Sequence, residues 1–333
     1  MQRSAANAAG ATSAPPASAV LLHAARAHLL DTPTLPLPGG GATLARWRLL
    51  AAAAAADVCL AKLLEAHYDA QAILAELDDA GIATPGSLLA VWAAEPPDAR
   101  LEFRPGAGRR GTLHGTKAWC SGADMVDAAL VTAHAGDQRV LVHVDLRQPG
   151  VDHDAAGWQA VGMARVPSGR VGFDAVPAVQ VAAPGAYLSR PGFWHGGAGI
   201  AACWFGAATA IADTLRLAPR AADSPHAMAH LGAVDMALSA AASLLRETAA
   251  RIDAAPTLAH ADAVTRVRSV VERSAAEVID RVGRALGPGP LCEDRAHALR
   301  CADLTTFLRQ SHAERDWASL GEAVRAEADA WRL

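Results

Sequence analysis

The chain has 333 residues, of which 52 % are hydrophobic and 19 % charged, so it can bury a sizeable core and is not a disordered chain of low hydrophobicity and high net charge. Its net charge is −4, with arginines interspersed among acids instead of gathered into a stripe, which gives nucleic-acid binding no support. The five cysteines, Cys59, Cys120, Cys203, Cys292 and Cys301, are widely spaced without a C-x-x-C pair, which points to a reducing compartment and no structural zinc.

Residues 1–18 are rich in Ala, Ser and Pro, with Arg3 as the only charge, and are expected to form a disordered head. They lack the apolar core of a secretory signal, and a cytoplasmic location is expected. Residues 19–85 read as an N-terminal helical domain, with Leu60, Leu63, Leu64, Ile73, Leu74 and Leu77 three and four apart and Gly81 as a stop. On that bundle Glu65 and Asp69 share one helix face beside His67. A solvated or interface role is expected for them, since a di-iron site would need a second Glu-x-x-His.

Residues 86–190 hold most of the Gly and Pro punctuation and short alternating runs such as VLVHV at 140–144 and RVGF at 170–173. These predict half-buried strands of an antiparallel barrel or sandwich. Residues 191–333 return to helix as a C-terminal four-helix bundle: Leu231, Leu238, Leu245 and Ile252 recur every seventh position, and Val264, Val267, Val271, Val278 and Val282 follow three- and four-residue steps. A further helix is expected from about Glu293 to Trp331. The stretch 191–212 is long enough to cross a bilayer, but its glycines and its low Leu/Ile/Val content predict a buried helix and no membrane span. The fold class expected is α+β, in the order α, β, α.

The run LHGTKAWCSGAD at 113–124 resembles a strand motif of the acyl-CoA dehydrogenase superfamily, in which a Trp packs by the flavin ring and a hydroxyl two residues later bonds it. Weaker likenesses occur in the family's order: VWAAE at 91–95, GFDAVP at 172–177, GAATAIADTL at 206–215, LGPGP at 286–290 and RCAD at 300–303. The resemblance implies an FAD cofactor held by Trp119, Ser121, Glu95, Gly287 and Gly289. An aromatic plane matches the isoalloxazine face, and a hydroxyl donor stabilises charge on the reduced ring.

It implies α,β-dehydrogenation of an acyl thioester carried by CoA or a carrier protein, an electron-transfer protein or flavin reductase as partner, and a homodimer or homotetramer. The chain departs from the family in two respects. The Arg-x-x-Phe-Gly element that anchors FAD is missing from 216–231, and Gly283 stands where a Gln is expected. The two places for the catalytic Glu fall on Ser311 and near Gly196, so the candidate bases are their neighbours His312, Glu314 and His195. His195, in FWHGGAG at 193–199, fits either a helix N-terminus open to an anion or a hydrogen-bonded core residue. These departures also accommodate a two-component flavin monooxygenase of the same fold, or a non-catalytic homologue serving as a binding partner.

Overall fold

The computed structural model describes residues 17–77, 81–327 and 331. Most of the head expected to be disordered lies outside them, and Ala17 and Ser18 open a helix instead. Three helices lead: α1 (Ala17–Asp31), α2 (Thr43–Ala56) and α3 (Val58–Leu77). Seven strands follow: β1 (Leu89–Trp92), β2 (Leu101–Pro105), β3 (Arg110–Ser121), β4 (Ala128–Ala135), β5 (Gln138–Asp145), β6 (Val151–Asp154) and β7 (Ser168–Gln180). The chain ends in helices α4 (Ala186–Ser189), α5 (Pro191–Arg216), α6 (Pro225–Ala254), α7 (Ala261–Leu286), α8 (Gly289–Glu293), α9 (Arg295–Leu308) and α10 (Glu314–Ala326).

The strands form one sheet that closes on itself in the order β4, β2, β3, β7, β5 and back to β4, with β1 added on β4 and β6 on β7. It is mixed, not purely antiparallel as expected: β1 and β2 both pair β4 in parallel, one after the other along the same edge. Asp127 anchors this junction, its carboxylate accepting the Leu88 N–H at 2.7 Å and pairing with Arg26 of α1 at 3.0 Å.

The valine steps of the C-terminal region do mark a buried helix face, since Val264, Val267, Val271, Val278 and Val282 of α7 are all at most 1 % exposed. Each such side chain contributes roughly 1.5–3 kcal/mol when fully buried. Helix ends follow local chemistry. Ser224 caps α6 by accepting the Ala227 N–H, Asp294 caps α9 by accepting from Ala296 and His297, and α7 stops at Gly287, whose φ is +68°. The single helix expected from Glu293 to Trp331 is instead two, broken by a turn at 309–313.

Helix α5 runs through the middle of the helical layer, and 67 % of its most apolar window is buried, as its glycines predict for a core helix. A β-carbon on Gly206 would stand 2.0 Å from the Ala51 carbonyl oxygen, so α5 and α2 meet backbone to backbone and the alanine run of α2 is what lets them. A second helix is as long and apolar as α5: α6, only 17 % buried over its corresponding window.

Candidate functional site

Strand β3 loses register with β7 between Lys117 and Cys120, and at that bulge Trp119 takes φ +60°. A left-handed backbone costs a bulky residue roughly 1–2 kcal/mol. Here the distortion also turns an indole outward, with Trp119 58 % exposed. Its flanks fix the distortion. Lys117 is buried and donates to Thr132 O at 2.7 Å and Thr132 Oγ1 at 2.8 Å, while the Cys120 thiol donates to the Lys117 carbonyl at 3.3 Å. Burial lowers the Lys117 ammonium pKa to about 8, against the opposing pull of Glu95.

The Trp158 ring stands edge-on to Trp119 at 6.4 Å, and Ser121 Oγ lies 2.8 Å from Ser168 Oγ on the neighbouring strand. The result is an open aromatic platform with a hydroxyl pair at its border. The loop that carries Trp158 is locked from below. Asp303 of α9 accepts the Met163 N–H at 2.6 Å, Arg165 forms a two-pronged pair with Asp57 at 2.6 and 2.9 Å and reaches Asp303 at 3.4 Å, and Trp158 Nε1 donates to Met163 O. Gly162 sits so close to α9 that a β-carbon there would lie 2.0 Å from Ala302 O.

The other residues marked in the sequence are dispersed. Glu95 pairs with Arg139 at 2.9 Å and Lys117 at 3.9 Å and has His134 Nε2 at 3.6 Å, so its carboxylate is taken up by these side chains. Gly287 and Gly289 flank the turn between α7 and α8 beside open space. His195 is buried in α5, its Nε2 bonded to the Leu258 carbonyl at 2.9 Å and its ring 5.9 Å from that of His260; burial holds its pKa below the ordinary histidine value. His312 and Glu314 are exposed at the break between α9 and α10, where His312 faces Asp316 at 3.5 Å.

Glu65 and Asp69, for which a solvated or interface role is expected, are not solvated: they face the helical interior. Glu65 is only 6 % exposed, and burial lifts its carboxyl pKa to about 7, with Asp69 adding to the rise and Lys62, Arg46 and Arg268 opposing it. Asp69 lies against Gly196, where a β-carbon would stand 2.5 Å from Oδ1. That oxygen is buried without a hydrogen bond, and Arg190 is 4.0 Å away. Along the glycine row of α5, Glu76 and Arg190 meet Gly192, Asp69 meets Gly196, Arg268 meets Gly197 and Trp47 meets Gly199. Only the row of glycines hinted at this in the sequence, because it leaves room for large polar side chains from α2, α3 and α7.

No protein-family model matches the chain, and no curated protein matches it in sequence. Solved structures do. FMN-bound TdsC, a dibenzothiophene monooxygenase from Paenibacillus sp. A11-2, superposes with TM-score 0.75 at 18 % identity over 92 % of this chain and 95 % of its own. KijD3 with FMN and a dTDP-linked amino-keto sugar gives 0.71 at 17 % over 95 % and 96 %. The nitrososynthase of Micromonospora carbonacea var. africana gives 0.70 at 18 % over 95 % and 98 %. The fold is that of the acyl-CoA dehydrogenases.

Within the acyl-CoA dehydrogenase fold the residues fit one half of a flavin dinucleotide better than the other. The strained, outward Trp119 with Ser121 and Trp158 offers a plane, an edge and a hydroxyl suited to an isoalloxazine ring. For the adenine half, Glu95 is already engaged by Arg139 and Lys117, with His134 beside it, and Gly287 and Gly289 bring no charge.

Proposed function

We propose that the chain is a flavin-dependent oxidoreductase and, within that class, a monooxygenase that takes reduced FMN from a separate reductase. The observation that carries this reading is Trp119, a large aromatic held in a left-handed backbone and left exposed. Bound reduced flavin would supply the two electrons that let one atom of dioxygen enter the substrate while the other leaves as water. Trp119 would stack on the ring, Trp158 would border it and Ser121 Oγ would donate a hydrogen bond to it. FMN is favoured over the FAD implied by the family resemblance, because the elements that anchor the adenine half are missing from 216–231 and at Gly283.

FMN and FAD titrations, oxidised and anaerobically reduced, test this. Stoichiometric binding of reduced FMN, lost in Trp119→Ala, is expected. A chain that binds no flavin in either state, or takes up oxygen equally well without the reductase, would overturn it.

Dehydrogenation of an acyl thioester is the second reading, and one observation favours it: Asp69 abuts Gly196, near one of the two positions at which the family resemblance implies a catalytic carboxylate. In that case an acyl-CoA panel would bleach the flavin anaerobically in the wild type but not in Asp69→Asn. Equal bleaching in both would remove Asp69 from the reaction, and no bleaching would leave the monooxygenase.

A further inference from the structure

A solvated helix turns long charged side chains to water, and a long helix that lacks them on its outer side marks an interaction surface. Helices α6 and α7 pack side by side and differ in this respect. On α7 the exposed positions include Arg273, Asp280 and Arg284, and Arg284 pairs with Asp280 at 2.9 Å and Arg281 with Glu277 at 3.1 Å. On α6 the stretch from Pro225 to Leu245 holds one carboxylate, Asp235, and neither lysine nor arginine. The inner side of α6 is spent on the core, with Val234, Ala241, Leu245, Ala249 and Ile252 buried.

The outer side is built from small residues. At 3.6 residues per turn, Gly232, Ser239, Ser243 and Ala250 fall within about 20° of one line along the helix, and all four are exposed. Met228 and Met236 flank that line, Met236 being 69 % exposed. A β-carbon on Gly232 would meet nothing within 4 Å. Small side chains in a row let another helix come close, and methionines adapt to fill the flanks. The same row offers a lipid surface little to insert, since an interfacial helix carries Trp, Phe and Leu on one face and Lys or Arg on the other.

Charge decides which helix fits. Asp235 and Arg246 stand to the same side of the line and are both exposed, and among the described residues neither is in an ion pair. Ser239 Oγ donates to Asp235 at 3.4 Å, and Arg246 donates to Ser243 Oγ at 3.0 Å. The two charges are equally far from the midpoint between Ala240 and Ala241, about 8 Å at 1.5 Å per residue. Laid antiparallel across a two-fold axis at that midpoint, two copies of α6 set each Asp235 against Arg246 of the other, and the small residues meet in between. An isologous pairing of this kind closes on itself.

We infer that the outer face of α6 is a self-association surface, covered by α6 of a second copy of this chain in antiparallel register, with Asp235 and Arg246 forming two symmetric ion pairs. A helix of 30 residues is about 45 Å long and about 10 Å wide. The contact therefore covers about 450 Å² on each copy and about 900 Å² in all, the low end for a specific interface, and the dimer is a reversible one.

Sedimentation equilibrium of the full chain from about 1 to about 100 μM, at about 0.15 M salt so that distant charges are screened while contact pairs persist, tests this. A monomer–dimer equilibrium is expected. Asp235→Arg and Arg246→Asp should each weaken it about tenfold or more, because each sets like charges together twice, and the double variant should restore it to within about threefold. Met236→Glu should also favour the monomer. All three positions are exposed, so the circular dichroism of the variants should match that of the wild type. A chain that stays monomeric at the highest concentration, or a dimer that ignores Met236→Glu, would overturn the inference. Single reversals left unrescued by the double variant would overturn the antiparallel register. Co-flotation of the monomer with phosphatidylcholine–phosphatidylserine vesicles, lost in Met236→Glu, would give the face to a lipid surface instead.

Discussion

Asp303 holds Met163: one carboxylate oxygen on α9 accepts the backbone N–H of a residue in the loop that carries Trp158, at 2.6 Å. Met163 itself has φ +60°, so the contact fixes a backbone state the residue would otherwise avoid. Replacing Asp303 by Ala strands the Met163 N–H and takes a partner from Arg165. A loss of about 3 kcal/mol in urea unfolding is expected, with a fall in flavin affinity as Trp158 leaves the border of the platform.

Trp119→Gly separates strain from function. Relief of the left-handed penalty, roughly 1–2 kcal/mol, offsets the lost ring contact with Trp158, roughly 0.5–1.5 kcal/mol. Thermal unfolding should therefore change by no more than about 1 kcal/mol while flavin binding collapses. A large loss of stability would mean that the indole is held there for packing.

Two glycines in long helices should respond oppositely. Gly206→Ala drives a methyl into the Ala51 carbonyl and is expected to cost about 3 kcal/mol as α5 and α2 are forced apart. On α6, Gly232 has nothing within 4 Å of an added β-carbon, so Gly232→Ala should stabilise by about 0.5–1 kcal/mol through helix propensity. Denaturant midpoints of both variants measure the contrast.

His67 makes stability depend on acid. It is 4 % exposed, its Nδ1 accepts the Leu89 N–H at 3.1 Å, and burial lowers its pKa to about 4. A histidine depressed in the folded state stabilises fully above its unfolded value, near 6.5, and loses that contribution as pH falls through the folded value. About 3 kcal/mol should disappear between about pH 6.5 and pH 4, and His67→Gln should flatten that part of the curve in urea unfolding across pH.

What the sequence disclosed follows from the range of the interactions. The valines of α7 and the 113–124 strand are legible because periodicity and a compact motif are local. The parallel pairing of β1 with β4 is not, since Leu89 meets Ala128 and no pattern in either strand names the other. Glu65 and Asp69 resemble a solvated helix face because their counter-charges, Arg46, Arg190 and Arg268, come from three other elements. The break after α9 leaves no mark in the sequence, because Gln310, Ser311 and His312 suit a helix surface as well as a turn. His195, His312 and Glu314 follow from counting along the chain, which cannot tell a residue beside Gly196 in sequence from one that leans on it in space, as Asp69 does.

Lysine is scarce in this protein: Lys62 and Lys117 are the only two. Lys117 is 3 % exposed and bonded to Thr132, while Lys62 is half-buried over Phe307. Amine-directed reagents will therefore find, besides the α-amino terminus, a single reactive side chain, and mass-spectrometric footprinting of Lys62 turns the helical interior into a natural single-label reporter that needs no engineered cysteine.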